Sequence, residues 1–131
     1  SGAFPAHVRA FSILLIKLRH ELGNDLDMVL ILAVIAERYY AAIERSEDRA
    51  TDTFARPSAE ECGINAHSVA LYTEIPRETV RRKIKTLVAK GWLDCDANGN
   101  LAPTPGAAKD LAKGTVATVN FMRAATPHRQ D

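Results

Sequence analysis

Residues 65–103 read NAHSVALYTEIPRETVRRKIKTLVAKGWLDCDANGNLAP, and this stretch decides the fold. Elementary backbone chemistry divides it into a short helix, a tight turn, a basic second helix and a small hairpin. Asn65 offers a side-chain oxygen to an orphan amide, which makes it the N-cap of a helix over Ala66 to Thr73. Val69, Ala70 and Thr73 share one face of that helix, and Ala70 is small enough to let a second helix cross close above it. Ile75 precedes Pro76 and is pushed out of the helical region, whereas the proline ring suits the first turn of a new helix. A second helix is therefore predicted from Arg77 to Lys90.

In that second helix Val80, Ile84, Leu87 and Val88 fall at i, i+4, i+7 and i+8, one narrow apolar stripe at helical period. Glu78, Arg82, Lys85 and Ala89 point away from the stripe, with Arg81 and Thr86 on its flanks. Arg77, Arg81, Arg82, Lys83, Lys85 and Lys90 stand against the single acid Glu78. Gly91 can take the left-handed conformation that ends a helix, and Trp92 and Leu93 resume an extended apolar pattern. Asp96-Ala97-Asn98-Gly99 carries turn chemistry, so Leu93 to Cys95 and Asn100 to Ala102 are predicted to pair as a hairpin. The order of elements is that of a winged helix-turn-helix, a device for placing one helix in the major groove of double-stranded DNA.

The segment Ala70 to Leu93 resembles the winged helix-turn-helix transcription regulators of bacteria, of the broad MarR-like kind. The Ala-Leu-Tyr-Thr-Glu-Ile-Pro-Arg-Glu-Thr-Val spacing is similar to the group's small residue, hydrophobic turn residue and Thr-Val opening of the recognition helix. Ile84, Leu87 and Gly91-Trp92-Leu93 resemble its usual core positions and the approach to the wing. The resemblance covers about a third of the chain and implies a mainly α fold with a small β-hairpin wing, flanked by N-terminal and C-terminal dimerisation helices. This chain departs from the group at the wing tip, where Asp94, Asp96 and Asn98 replace the basic residues that members often carry. The wing is accordingly assigned to packing.

At 131 residues the chain is large enough for one real core, and its 47% apolar and 25% charged content are those of an ordinary globular protein. The formal net charge of +1 is low for a nucleic-acid binder, but its distribution is uneven. Glu47, Asp48, Asp52, Glu60 and Glu61 gather before the motif, while the positive charge gathers on the second helix. Two cysteines, Cys62 and Cys95, do not make a disulfide framework, so a reducing, cytoplasmic setting is expected. Ser1-Gly2 reads as a residual cloning sequence, with no export signal behind it. The longest apolar run, Met28 to Ala36, is about half of a bilayer span, so no membrane association is expected.

The expected organisation is an N-terminal helical dimerisation region over 1–45, a linker over 46–61, the winged motif over 62–103, and a C-terminal helix with a frayed tail over 104–131. A first helix is predicted from Ala6 to Leu22, where Val8, Phe11, Leu15, Leu18 and Leu22 recur three and four residues apart. A second helix, Asp25 to Ser46, is apolar nearly all round and must be covered on most sides. A second copy of the chain is the expected cover, so homodimerisation is assigned to Phe11, Leu15, Leu18, Met28, Leu32 and Ile35. After the wing, Thr104-Pro105 opens a helix over Ala107 to Ala124 with Leu111, Val116, Val119 and Met122 on its apolar side.

Within the basic helix Arg82 is the expected base reader, since arginine binds guanine bidentately, and Glu78 one turn earlier either orients it, accepts from cytosine or forms a surface pair. Arg77, Thr79, Arg81 and Lys85 are expected phosphate contacts, with Asn65 and Ser68 as partners from the first helix. Two other readings accompany this one: a protein-binding winged helix in a larger assembly, and a sensor whose effector sits near Tyr39 and Tyr40. His7, His20, His67 and His128 show no metal-ligand spacing, and no phosphate loop or nucleophile elbow is present. Neither a cofactor nor an enzymatic activity is expected.

Overall fold

The computed structural model describes residues 3–48 and 56–125. Seven helices and one two-stranded sheet occur among them: α1 (Ala3–Glu21), α2 (Leu26–Asp48), α3 (Ala59–Cys62), α4 (Ala66–Thr73), α5 (Arg77–Ala89), β1 (Leu93–Cys95), β2 (Leu101–Pro103), α6 (Pro105–Asp110) and α7 (Ala112–Ala125). The protein is thus mainly helical with a small antiparallel hairpin. Its packing forms two units, one of residues 1–26 with 108–131 and one of residues 27–107. Among the described residues no helix is long and apolar enough to cross a membrane.

This division differs from the expected boundary near residue 45. Most of α2 belongs with the motif, because its apolar face is consumed inside the same chain: Met28, Ile31, Val34, Ile35, Tyr39 and Ala42 are all buried. Tyr39 and Ala42 pack with Cys62 and Ala102, and Ile43 and Ala59 close the edge of that cluster. A helix apolar nearly all round does need several neighbours, and here α3 and β2 supply some of them. Met28 and Ile35, read from the sequence as dimer contacts, are therefore core residues, and Leu32 is half-buried.

The acidic stretch read as a linker is partly built. The second helix continues to Asp48, and residues 49–55 of the predicted linker lie outside the described residues. Ser58 caps α3 in a reciprocal capping box: its hydroxyl accepts from Glu61 N, and the Glu61 carboxylate accepts from Ser58 N at 3.0 Å. Arg45 donates to the Glu61 carbonyl at 3.0 Å, tying the end of α2 to α3. Arg56 donates to the Pro103 carbonyl at 3.0 Å and lies 5.0 Å from the Tyr39 ring centroid. The absence of a long period hid these features, because a four-residue helix held by its cap has none.

The predicted single C-terminal helix is two helices, interrupted at Leu111. Thr104 starts the first of them, its hydroxyl accepting from Ala107 N at 3.2 Å and donating to the Gly91 carbonyl. Ala107 is buried with the motif, whereas α7 packs along α1 in the other unit; the chain passes between the units at Ala107–Ala108, inside the first of these helices and before the interruption. In that second unit Phe121 lies 5.1 Å from the His7 ring and 5.8 Å from Phe11. The frayed tail expected at 126–131 lies outside the described residues.

Candidate nucleic-acid interface

The helix, turn and helix at the centre of the chain form as local chemistry dictates. Asn65 Oδ1 accepts from Ser68 N at 2.9 Å and from Ser68 Oγ at 3.0 Å, which satisfies an orphan amide of α4. At the other end Thr73 Oγ1 donates to the Val69 carbonyl at 2.7 Å and accepts from Ile75 N at 3.3 Å. Glu74 closes the helix at φ +64°, a left-handed conformation uncommon for a residue with a Cβ, and its amide donates to the Ala70 carbonyl. With the backbone reversed there, Ile75 is buried and Pro76 launches α5.

The second helix buries Val80, Ile84 and Leu87, as the stripe predicts, while Val88 on the stripe's edge is 38% exposed. Its opposite face and flanks are open: Glu78, Arg81, Arg82, Lys85, Thr86 and Ala89 are all exposed, and Arg77 is exposed in the first turn. Glu78 pairs with Arg81 at 3.5 Å, an exposed i,i+3 contact worth at most a few tenths of a kcal/mol. The acid therefore does not hold Arg82, and the Arg82 side chain stands exposed on the outward face. Thr79 is half-buried on the flank of the stripe. Asn65 and Ser68 are half-buried and committed to one another, so their first role is to cap α4.

Lys90 caps α5 rather than extending it, and its ammonium lies 5.1 Å from the ring centroid of the buried Trp92. Gly91, at φ +80°, turns the chain from helix to strand. The hairpin pairs Leu93 with Pro103, Asp94 with Ala102 and Cys95 with Leu101, one residue later on its second strand than the sequence suggests. The shift arises in the turn. Asp96 accepts from Asn98 N and Asn100 N at 2.9 Å and from Asn100 Nδ2 at 3.1 Å, which draws Asn100 into the loop. Chiefly the Asn100 side-chain bond, with help from the backbone amides, holds the Asp96 carboxyl below its ordinary value.

Two exposed residues escaped the reading of sites. Leu71 and Tyr72 on α4 are 69% and 65% exposed, beside the helix that carries the basic face. Leu71 stands about 200° around the helix from the buried Val69, so its outward direction was available from the period alone. Tyr39 is buried in the core and Tyr40 is 63% exposed, so the pair expected to line an effector site divides between core and surface. Among the described residues no cluster of three or more histidines, cysteines or acids could hold a metal ion. No protein-family model, curated protein or solved structure matches this chain.

Proposed function

We propose that the chain is a sequence-specific DNA-binding transcription regulator that acts as a homodimer. In this reading α4, α5 and the hairpin form a winged helix-turn-helix, and α5 enters the major groove. The observation that carries it is the outward side of α5, where Arg81, Arg82 and Lys85 are exposed above a buried Val80-Ile84-Leu87 stripe, with Arg77 exposed in the first turn. Such a face offers cations to phosphates and an arginine to a base edge. The unit built from α1 and α7 supplies the second copy's seat, so two recognition helices read half-sites about one turn, roughly 34 Å, apart.

Selection of bound sequences from a random duplex pool tests the reading, and a two-fold symmetric motif is the expected product. On the selected site, Arg82→Ala loses discrimination at one base pair by about 1 to 3 kcal/mol, while Lys85→Ala weakens all sequences alike and lowers the salt slope by about 1. Absence of binding to any duplex at low salt would refute the proposal, because phosphate contacts alone give measurable affinity.

A second reading has one observation in its favour. The exposed Leu71 and Tyr72, with Asp94 on an exposed hairpin edge, suit a protein-binding module in a larger assembly. Leu71→Ser with Tyr72→Ser separates the two, since a DNA reader keeps its salt-dependent affinity in that variant.

A further inference from the structure

The first turn of α5 sets an acid in the middle of a cationic face. At about 100° per residue, Glu78 lies half a turn around from the fully buried Leu87, with Lys85 about 20° to one side and Arg82 about 40° to the other. It is the only acid between Arg77 and Lys90, and its side chain is 86% exposed. Arg81, about 60° back toward the flank, brings Nη1 within 3.5 Å of Glu78 Oε2, while Arg82 and Lys85 stand exposed. A helix start favours an acid, but that preference acts along the axis and is indifferent to the side that carries it. The exposed pair with Arg81 is weak. Neither accounts for an acid on the outermost line of the helix.

Against a duplex that placement has both a cost and a use. Phosphates repel the carboxylate, so Glu78 lowers affinity for all sequences alike. A donor on a base edge offsets the loss. An ionised carboxylate only accepts hydrogen bonds, whereas a guanidinium only donates them. In the major groove cytosine offers the N4 donor alone, adenine sets the N7 acceptor beside its N6 donor, and guanine N7 and O6 and thymine O4 are all acceptors. A carboxylate therefore takes cytosine and refuses guanine and thymine, the opposite choice from arginine. First-turn residues of a recognition helix are the ones that reach base edges. Glu78 and Arg82 are about 6 Å apart along the axis, or roughly two base steps.

We propose that Glu78 is a second base reader of α5, selecting a cytosine within about two base steps of the guanine read by Arg82, and that Arg81 positions its carboxylate instead of meeting a phosphate. The proposal rests on the DNA-binding reading above and gives its site a composition. A carboxylate has two oxygens, so the one held by Arg81 leaves the other for the base.

The test selects bound sequences from a random duplex pool with the full chain and with Glu78→Gln, Arg81→Ala, Arg81→Lys and Arg82→Ala, all at exposed positions. Circular dichroism shows that each variant is folded. The parent motif should carry the cytosine at that distance, favoured there over guanine or thymine by roughly 5- to 150-fold. In Glu78→Gln the preference should pass to adenine, whose N6 and N7 suit a carboxamide, while the guanine stays; affinity for random duplex should rise at low salt as the negative charge is lost. Arg82→Ala should lose the guanine and keep the cytosine. Arg81→Ala should weaken the cytosine preference alone, and Arg81→Lys should keep most of it; an equal loss on every sequence would instead make Arg81 a phosphate contact and overturn its positioning role. A Glu78→Gln motif with the parent's cytosine, or a parent motif with no cytosine at that distance, would overturn the reading of Glu78 and leave the DNA-binding regulator standing. A parent that binds no duplex at low salt overturns both.

Discussion

Asn65→Ala removes an oxygen that accepts two hydrogen bonds, one from Ser68 N at 2.9 Å and one from Ser68 Oγ at 3.0 Å. The first is a helix N-cap, and its loss to alanine costs about 1 kcal/mol. The second joins half-buried groups, and water can take the place of the carboxamide, so it adds a few tenths of a kcal/mol. With a urea m-value of about 2 kcal/mol per molar, the midpoint should fall by about 0.5 to 0.7 M in far-ultraviolet circular dichroism. Asn65→Asp keeps the acceptor and places negative charge at the positive end of α4, so its midpoint should stay within about 0.2 M of the parent. Asn65→Gly should lie between them, close to the parent. The same series separates capping from DNA contact, because a residue that only caps α4 changes affinity no more than it changes the folded fraction. An alanine variant with the parent's midpoint, or an aspartate variant as weakened as alanine, would refute the capping argument.

Leu87 is fully buried, and Leu87→Ala should cost about 2 to 5 kcal/mol, read as a large fall in the urea midpoint. Cys95 is exposed and Cys62 buried, so a thiol reagent should label one site quickly and the other only on unfolding. Burial first, then the neighbouring Glu61 carboxylate, pushes the Cys62 thiol up, opposed by Arg45 and Arg56. A raised folded value means that this contribution to stability is whole below the ordinary thiol value and is lost as pH climbs from there through the folded value; Cys62→Ala should flatten that alkaline decline. Asp96 has a lowered folded value, so the order it gives the hairpin turn is present above the ordinary carboxylate range and is lost as pH falls through the lowered value. The amide shifts of Asn98 and Asn100 should follow that titration, and Asp96→Ala should remove it.

Local chemistry was legible wherever a residue acts on neighbours a few positions away. Asn65 as a cap, the break at Ile75-Pro76, the buried Val80-Ile84-Leu87 stripe and the turn at Gly91 all depend on contacts within a helical turn or two. The outward face of α5 follows from the same period, which is why the basic candidate residues emerged together. The hairpin was legible to within one residue, and the error came from the Asp96 side chain drawing Asn100 into the turn. Glu78 illustrates the limit at short range, since i,i+3 and i,i+4 partners are equally reachable and only side-chain placement selects Arg81 over Arg82.

What the sequence by itself determined is therefore the α4-turn-α5-hairpin order and the charged face that the order presents. Tertiary structure alone decided where the apolar helices spend their surface. The residues of α2 could be buried equally by a second chain or by its own, and period cannot distinguish these, because a hydrophobic face carries no label for its partner. Packing against Cys62 and Ala102 takes up Tyr39 and Ala42, and Met28 and Ile35 are likewise buried within the same chain. In the other unit, α7 packs along α1 and Phe11 meets Phe121, yet Phe4, Val8 and Leu15 stay exposed. Burial is a property of what lies opposite a residue in space, and that is set by contacts between elements far apart in the chain.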